Sequence, residues 1–380
     1  VTDGNELVLE GDVVERGGVI LEKLKEANRK YKLSLGWIVD RPLQDGDYVL
    51  LNRQPTLHKA SMLAMQVLIK PHKTLRMNLA ITKPFNADFD GDEMNIHLPA
   101  SLEAQAELKM LSAAQFNMIS AQSSKPNMAI VQDSLLGAYR MTQGTKKISK
   151  AQFFNIAMKL PRAPWLGPSE DSVDGMMTSA DVLERIDHIR SVLKSKGKRV
   201  QCYNGHGLVS LFLPDDFIYE KTNDKNPKEP TVKIWRGVMY EGTLDKSTLG
   251  SSHNALHQVI HKEYGPAASA HFIDCIQFTT NNYLLIDGFT VGLSDCLLSD
   301  ASKSKQEEIR DVVQKCYVEA EGVKQTTVHP SIREIRINAA LNKAKDIGLR
   351  TAKEALSSDN NFLSTVESGS KGDFFNIAQI

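Results

Sequence analysis

Asn86-Ala87-Asp88-Phe89-Asp90-Gly91-Asp92-Glu93-Met94-Asn95 puts a carboxylate at every second position. On an extended segment alternate side chains point the same way, and Gly91 lets the backbone tighten so that Asp88, Asp90 and Asp92 converge. Three like charges held a few ångströms apart raise one another's pKa unless a cation neutralises them. A donor set made only of oxygen favours magnesium over zinc or copper, and three side-chain ligands leave about three of roughly six positions open to water and substrate. That is the arrangement of a catalytic centre rather than of a closed structural cage.

Other readings of the run compete. A calcium-binding EF-hand loop counted from Asp88 needs glycine at its sixth position and glutamate at its twelfth, where this chain has Glu93 and Pro99. The segment Asp88-Phe89-Asp90-Gly91 also fits the Asp-x-Asp-Gly of haloacid-dehalogenase-like phosphatases, with Asp88 as nucleophile and Asp90 as general acid. That motif ends a buried apolar strand, however, and here Lys83-Pro84-Phe85-Asn86 precedes it. A solvated acidic turn accounts for one or two aspartates but not for three bracketed by Phe89, Met94 and Ile96. A noncatalytic docking module is a further alternative.

The whole run from Asn86 to Asn95 resembles the active-site signature of the largest subunit of multi-subunit DNA-dependent RNA polymerases, called beta-prime in bacteria. Upstream, Asn52-Arg53-Gln54-Pro55-Thr56-Leu57-His58-Lys59 resembles a second element of that subunit, in the same order and spacing. The likeness continues through Gln122 to Pro126, Val131 to Asp133, Leu244 to Gly250, Asp287 to Phe289, Asn342 to Ala344 and Ser368 to Gly372. It is weaker near 10 to 38 and 143 to 235, and its wording is nearest the eukaryotic, archaeal and large-DNA-virus branches.

The resemblance implies an α+β chain. Residues 1–100 would form a double-psi beta-barrel active-site domain short of a strand at its start, and 101–142 its helical support. Residues 143–300 would form a pore region with a lineage-specific insertion, and 301–380 a funnel helical hairpin with the loop after it. It implies nucleotidyl transfer to an RNA 3′ end by two Mg²⁺ ions, one held by Asp88, Asp90 and Asp92 and one arriving with the nucleotide. Arg53 and Asn86 would meet the ribose hydroxyls, with Gln54 and Pro55 shaping the same pocket. A site built to hydrogen-bond a hydroxyl rejects the analogue lacking it. Implied partners are the second-largest subunit and other polymerase subunits, a DNA template, the RNA transcript, nucleoside triphosphates and a transcript-cleavage factor at the funnel. The implied location is intracellular: the nucleus for a cellular eukaryotic enzyme, host cytoplasm or virion for a viral one. Lys371, in the loop Ser368 to Gly372, is placed to approach phosphate, although Asp373 stands where a small residue is expected.

Composition is ordinary for a soluble globular core: 380 residues, 41% hydrophobic and 24% charged. Val1 and the apolar run Phe374 to Ile380 suggest a central fragment of a longer chain. The 46 basic and 46 acidic residues cancel, so affinity for nucleic acid must be local. Basic clusters at Lys23 to Lys32, at Lys146, Lys147 and Lys150, and at Arg190 to Arg199 read as solvated faces, because aromatic stacking partners are sparse in their sequence neighbourhoods. Cys202, Cys275, Cys296 and Cys316 form no Cys-x-x-Cys pair, so no zinc site is expected and the thiols read as reduced. No apolar stretch is long enough to span a bilayer.

Periodicity predicts short strands at Glu6–Glu10, Ile38–Val39, Tyr48–Asn52, Gln66–Lys70 and Leu75–Thr82, interrupted by a helix over Gly18–Tyr31 on the spacing of Ile20, Leu21, Leu24 and Ala27. It predicts a helix over Leu102–Leu111 with Ala104, Leu108 and Leu111 inward, short helices and loops over 143–235, and a glycine-bounded loop, Gly242 to Gly250, before a helix through Ala255, Val259 and Ile260. His253, His257 and His261 recur at four-residue steps, which reads as a helix face rather than a metal site. A hairpin of two long helices follows, the first ended by Gly322 and the second begun near Pro330.

Overall fold

The computed structural model describes residues 13–16, 19–23, 37–144, 146–166, 172, 175–222, 230–296, 303–326, 329–357 and 360–378. The chain divides into two compact units, one of Val1–Arg76 with Asp88–Phe116 and one of Met77–Ala87 with Asn117–Ile380.

The first unit is mainly antiparallel sheet. Strands β1 (Val13–Arg16), β2 (Val19–Lys23) and β3 (Trp37–Asp40) form one sheet in the order β2-β1-β3. The helix expected over Gly18–Tyr31 is thus a strand in its first part, while residues 24–31 and the strand expected at Glu6–Glu10 lie outside the described residues. The physical reason is local: β-branched Val13, Val14, Val19 and Ile20 flank Gly17-Gly18, a hairpin signal that outweighs the helical spacing.

A second sheet has strand β4 (Tyr48–Asn52) at its centre, between β5 (Met62–Gln66) and β6 (Asn95–His97). Its core face is formed by Val49, Leu51 and Leu63, while Ala64, paired with Leu50, is buried on the opposite face. Register pairs Tyr48 with Gln66, so the second strand ends where Gln66–Lys70 was expected to begin one. The helix Leu102–Glu107, capped by the Ser101 side chain, runs into a π turn over Leu108–Ser112. Ala104 and Leu108 are half-buried as expected, whereas Leu111 is exposed.

The second unit is mainly helical. Its longest buried helix, Pro266–Asp287, packs against helices Gln132–Thr142 and Leu256–Tyr264. Close approach needs Gly137, where an added Cβ would lie 3.1 Å from Thr280 and Leu284. The predicted strand at Leu75–Thr82 is instead, in its second half, a 3₁₀ turn, Leu79–Ile81, leading into the short helix Thr82–Phe85. Asn78 explains the change, because its side chain accepts from the Ala80 amide and starts the turn. A three-stranded meander not foreseen in the sequence lies within 143–300: β7 (Tyr219–Lys221), β8 (Val232–Trp235) and β9 (Val238–Glu241). Arg236 and Gly237, both at positive φ, make its tight β8-β9 turn.

Helices Lys303–Thr326 and Pro330–Ala355 pack together as the expected hairpin, with Cys316, Ala320 and Ala340 buried and Lys343 paired to Glu319 at 2.7 Å. The first helix runs through Gly322 rather than ending there, since an interior glycine weakens a helix by only about 1 kcal/mol. No described helix is long and apolar enough to cross a membrane.

Candidate metal centre

Strand register builds the site. Asn52 at the end of β4 pairs with Asn95 at the start of β6, which brings Arg53, one residue on, to the loop that ends three residues earlier at Asp92. The Arg53 guanidinium grips Asp92 with two bonds, Nε to Oδ2 at 2.7 Å and Nη2 to Oδ1 at 3.2 Å. The Asp88 amide donates to Asp92 Oδ2 at 3.1 Å, which closes the acidic loop on itself. Gly91 takes φ +126 between the second and third carboxylates, a conformation that side chains rarely adopt.

Asp88, Asp90 and Asp92 each offer an oxygen, and these lie within 4.8 Å of one another. All three residues are exposed. Octahedral magnesium needs ligand oxygens roughly 3 to 4 Å apart, so small side-chain rotations complete the fit. Electrostatics supports the same ion. The Asp88 carboxyl is held above the usual carboxylate range by its hydrogen bond with Asp90, by partial desolvation and by the neighbouring negative charges. A cation would relieve that repulsion. Asp92 is held below the ordinary range, first by Arg53 and then by the Asp88 amide, and Arg53 is correspondingly raised by Asp92. The donor chemistry and spacing therefore fit a divalent ion held by Asp88, Asp90 and Asp92.

The predicted site residues divide. Arg53 sits with the three aspartates in the first unit, and Gln54 and Pro55 follow it on the same exposed loop. Asn86 belongs to the second unit, where it ends the helix Thr82–Phe85 in the left-handed conformation (φ 49), a position asparagine tolerates. The segment before it is anchored within that unit by Asn78 bonding Asp274 at 3.0 Å and by a Lys83 to Ser251 contact. Sequence reasoning missed Asn52. Buried at 5% exposure, it donates to the Ser61 carbonyl at 3.0 Å and to Thr56 Oγ1 at 2.8 Å, so it pins the loop that carries Arg53. An amide at the end of a strand in an apolar pattern is the signal that would have found it.

The three histidines of the second unit do not act as a set. His257 is wholly buried and its pKa is pushed down to about 4 by desolvation, His261 is lowered by the same cause, and His253 is exposed. The glycine-bounded loop is held by Asp245, whose Oδ1 accepts from the Ser247 and Thr248 amides, and by Lys221, which donates to the Ser247 and His253 carbonyls.

Three consecutive domain models of one family match the chain: RNA polymerase Rpb1, domain 2, over residues 11–114; domain 3 over 117–296; and domain 4 over 319–380. A probable DNA-directed RNA polymerase II subunit RPB1 homolog of Invertebrate iridescent virus 6 is 43% identical over 386 residues, which is 99% of this chain and 35% of that relative. The chain thus spans about a third of the length of the curated relative it matches.

Proposed function

The chain belongs to the Rpb1 family of RNA polymerase largest subunits, and from that premise we propose that it carries the catalytic centre for template-directed addition of nucleotides to an RNA 3′ end. One observation carries the reading: three carboxylates with ligand atoms within 4.8 Å lie in the stretch matched by Rpb1 domain 2. Asp88, Asp90 and Asp92 would hold a magnesium ion. When bound, such an ion lowers the pKa of the attacking hydroxyl and neutralises charge on phosphate.

The chain's own residues prepare the site. Arg53 lowers the Asp92 pKa and fixes the loop end, and Asn52 keeps Arg53 in place. In the nucleotide complex Arg53 and Asn86 turn to the ribose hydroxyls, with Gln54 and Pro55 shaping the wall. An arginine and an amide lose partners when the 2′ hydroxyl is missing, and that loss discriminates against deoxynucleotides. A second ion would arrive with the triphosphate and supply charge neutralisation at the leaving oxygens. The sheets of the first unit correspond to a double-psi barrel, and the hairpin 303–355 to a funnel wall that accepts a cleavage factor. The second-largest and other polymerase subunits, the template, the transcript and the nucleoside triphosphates complete the assembly. It works in the nucleus or, for a large DNA virus, in host cytoplasm or virion.

A polymerase reconstituted with Asp90→Ala should assemble normally yet lose RNA extension by a factor on the order of a thousand or more. Normal extension would refute the assignment. The phosphatase reading would instead use Asp88 as nucleophile and Asp90 as general acid. Phosphate release from a chromogenic ester that is abolished by Asp88→Asn would favour it instead. A docking module alone would bind no divalent ion at the aspartates.

A further inference from the structure

The basic run Arg190 to Arg199 reads as a solvated face in sequence because aromatic partners are sparse beside it, but the fold supplies them from the β7-β8-β9 meander. The Lys196 ammonium lies 3.8 Å from the centre of the Trp235 ring and 6.0 Å from that of Tyr240, and Lys198 lies 5.9 Å from the Tyr240 ring. Trp235 keeps 37% of its surface exposed at the β8 end of the hairpin turn, with Arg236 exposed beside it. The acidic groups nearby are already engaged: Glu241 is shared between Lys198 at 3.5 Å and Lys233 at 3.8 Å, and Asp187 pairs with Arg190 at 2.9 Å. Among the described residues no carboxylate pairs with Lys194, Lys196, Arg199 or Arg236.

In a chain whose total charge is zero, this is a local excess of positive charge around two aromatic rings. Phosphates need the first and unstacked bases need the second, and neither need is met by a merely solvated face. We propose that the surface formed by Lys194, Lys196, Lys198, Arg199, Trp235 and Tyr240 binds single-stranded RNA, a base stacking on Trp235 while Lys196 moves from the ring to a phosphate. The choice of RNA rests on the polymerase reading above. Cation–π contacts hold the free ring and ammonium together, so the platform is preformed.

The test is fluorescence anisotropy of a labelled oligouridylate titrated with the full chain across a range of salt. Lys196→Glu with Arg199→Glu should weaken binding at least about tenfold and flatten the salt dependence. Trp235→Leu should weaken it by about fivefold or more while leaving the salt slope intact. Circular dichroism checks the fold of each variant, and the exposed charge reversals carry the test if Trp235→Leu does not fold. An Asp88→Asn/Asp90→Asn chain should bind the oligouridylate as before while losing Mn²⁺, so this proposal and the catalytic reading fail separately. Unchanged affinity after the charge reversals would overturn the proposal. So would polyglutamate competing as well as oligouridylate at matched charge, which would indicate an acidic protein partner.

Discussion

The acidic loop and the helical core handle charge in opposite ways. Around Asp88, Asp90 and Asp92 the ionisable groups are exposed, and they set one another's pKa through mutual repulsion and the Arg53 ion pair. For the buried groups in the core of the second unit the main perturbing agent is burial. His257 is held neutral by it, and Arg185, lowered to about 10, is compensated by the Leu213 carbonyl at 2.8 Å and by Asp215. The loop is therefore built to respond to ions and the core to resist them. Changes in the core should appear first as lost stability, and changes in the loop as lost affinity.

Phe272→Ala offers the largest expected contrast. Phe272 is fully buried beside Phe212, and its truncation should cost about 3–5 kcal/mol in a denaturant melt. Each molecule that remains folded should bind Mn²⁺ as before, and a loss of affinity in step with stability would erase the distinction.

His257 sharpens the same contrast through pH. The unfolded histidine takes up a proton near pH 6.5, while the folded one refuses it until about 4. Stability should therefore be level above about pH 6.5 and fall by roughly 3 kcal/mol as the pH drops to about 4. His257→Leu should remove this acid slope. If urea melts of the two proteins keep the same pH dependence, burial of His257 is not what sets it.

Arg53→Ala acts on the other region with a smaller effect. Removing the guanidinium from Asp92 should raise Mn²⁺ affinity at pH 7 by about fivefold, because a competing cation has gone. In the assembled polymerase the same change should lower the preference for ribonucleotides over 2′-deoxynucleotides. An unchanged sugar ratio would confine Arg53 to its ion pair with Asp92.

The site was more legible than the fold around it. Three alternating carboxylates and a glycine state their chemistry locally, and strand β4 followed from its own apolar pattern. The role of Asn52 did not, because it depends on how the loop between β4 and β5 folds back to place Thr56 and Ser61 beside it, and the contact of Arg53 with Asp92 did not, because it depends on the register of β4 against β6, which is set more than forty residues away in sequence. The helix read over Gly18–Tyr31 failed where β-branched residues around a glycine pair competed with helical spacing. The β7-β8-β9 meander hid in short strands whose signal lies in the Arg236-Gly237 turn, and with it hid the aromatic partners of the basic run. Long elements such as Lys303–Thr326 were readable because many turns repeat the same signal.

Electron paramagnetic resonance of Mn²⁺ titrated into the full chain reads out whether Asp88, Asp90 and Asp92 hold a divalent ion. One ion should bind per chain, be displaced by Mg²⁺ and be released as the pH falls, and no such ion should bind to an Asp88→Asn/Asp90→Asn chain. Equal Mn²⁺ binding by the two proteins would contradict the metal assignment.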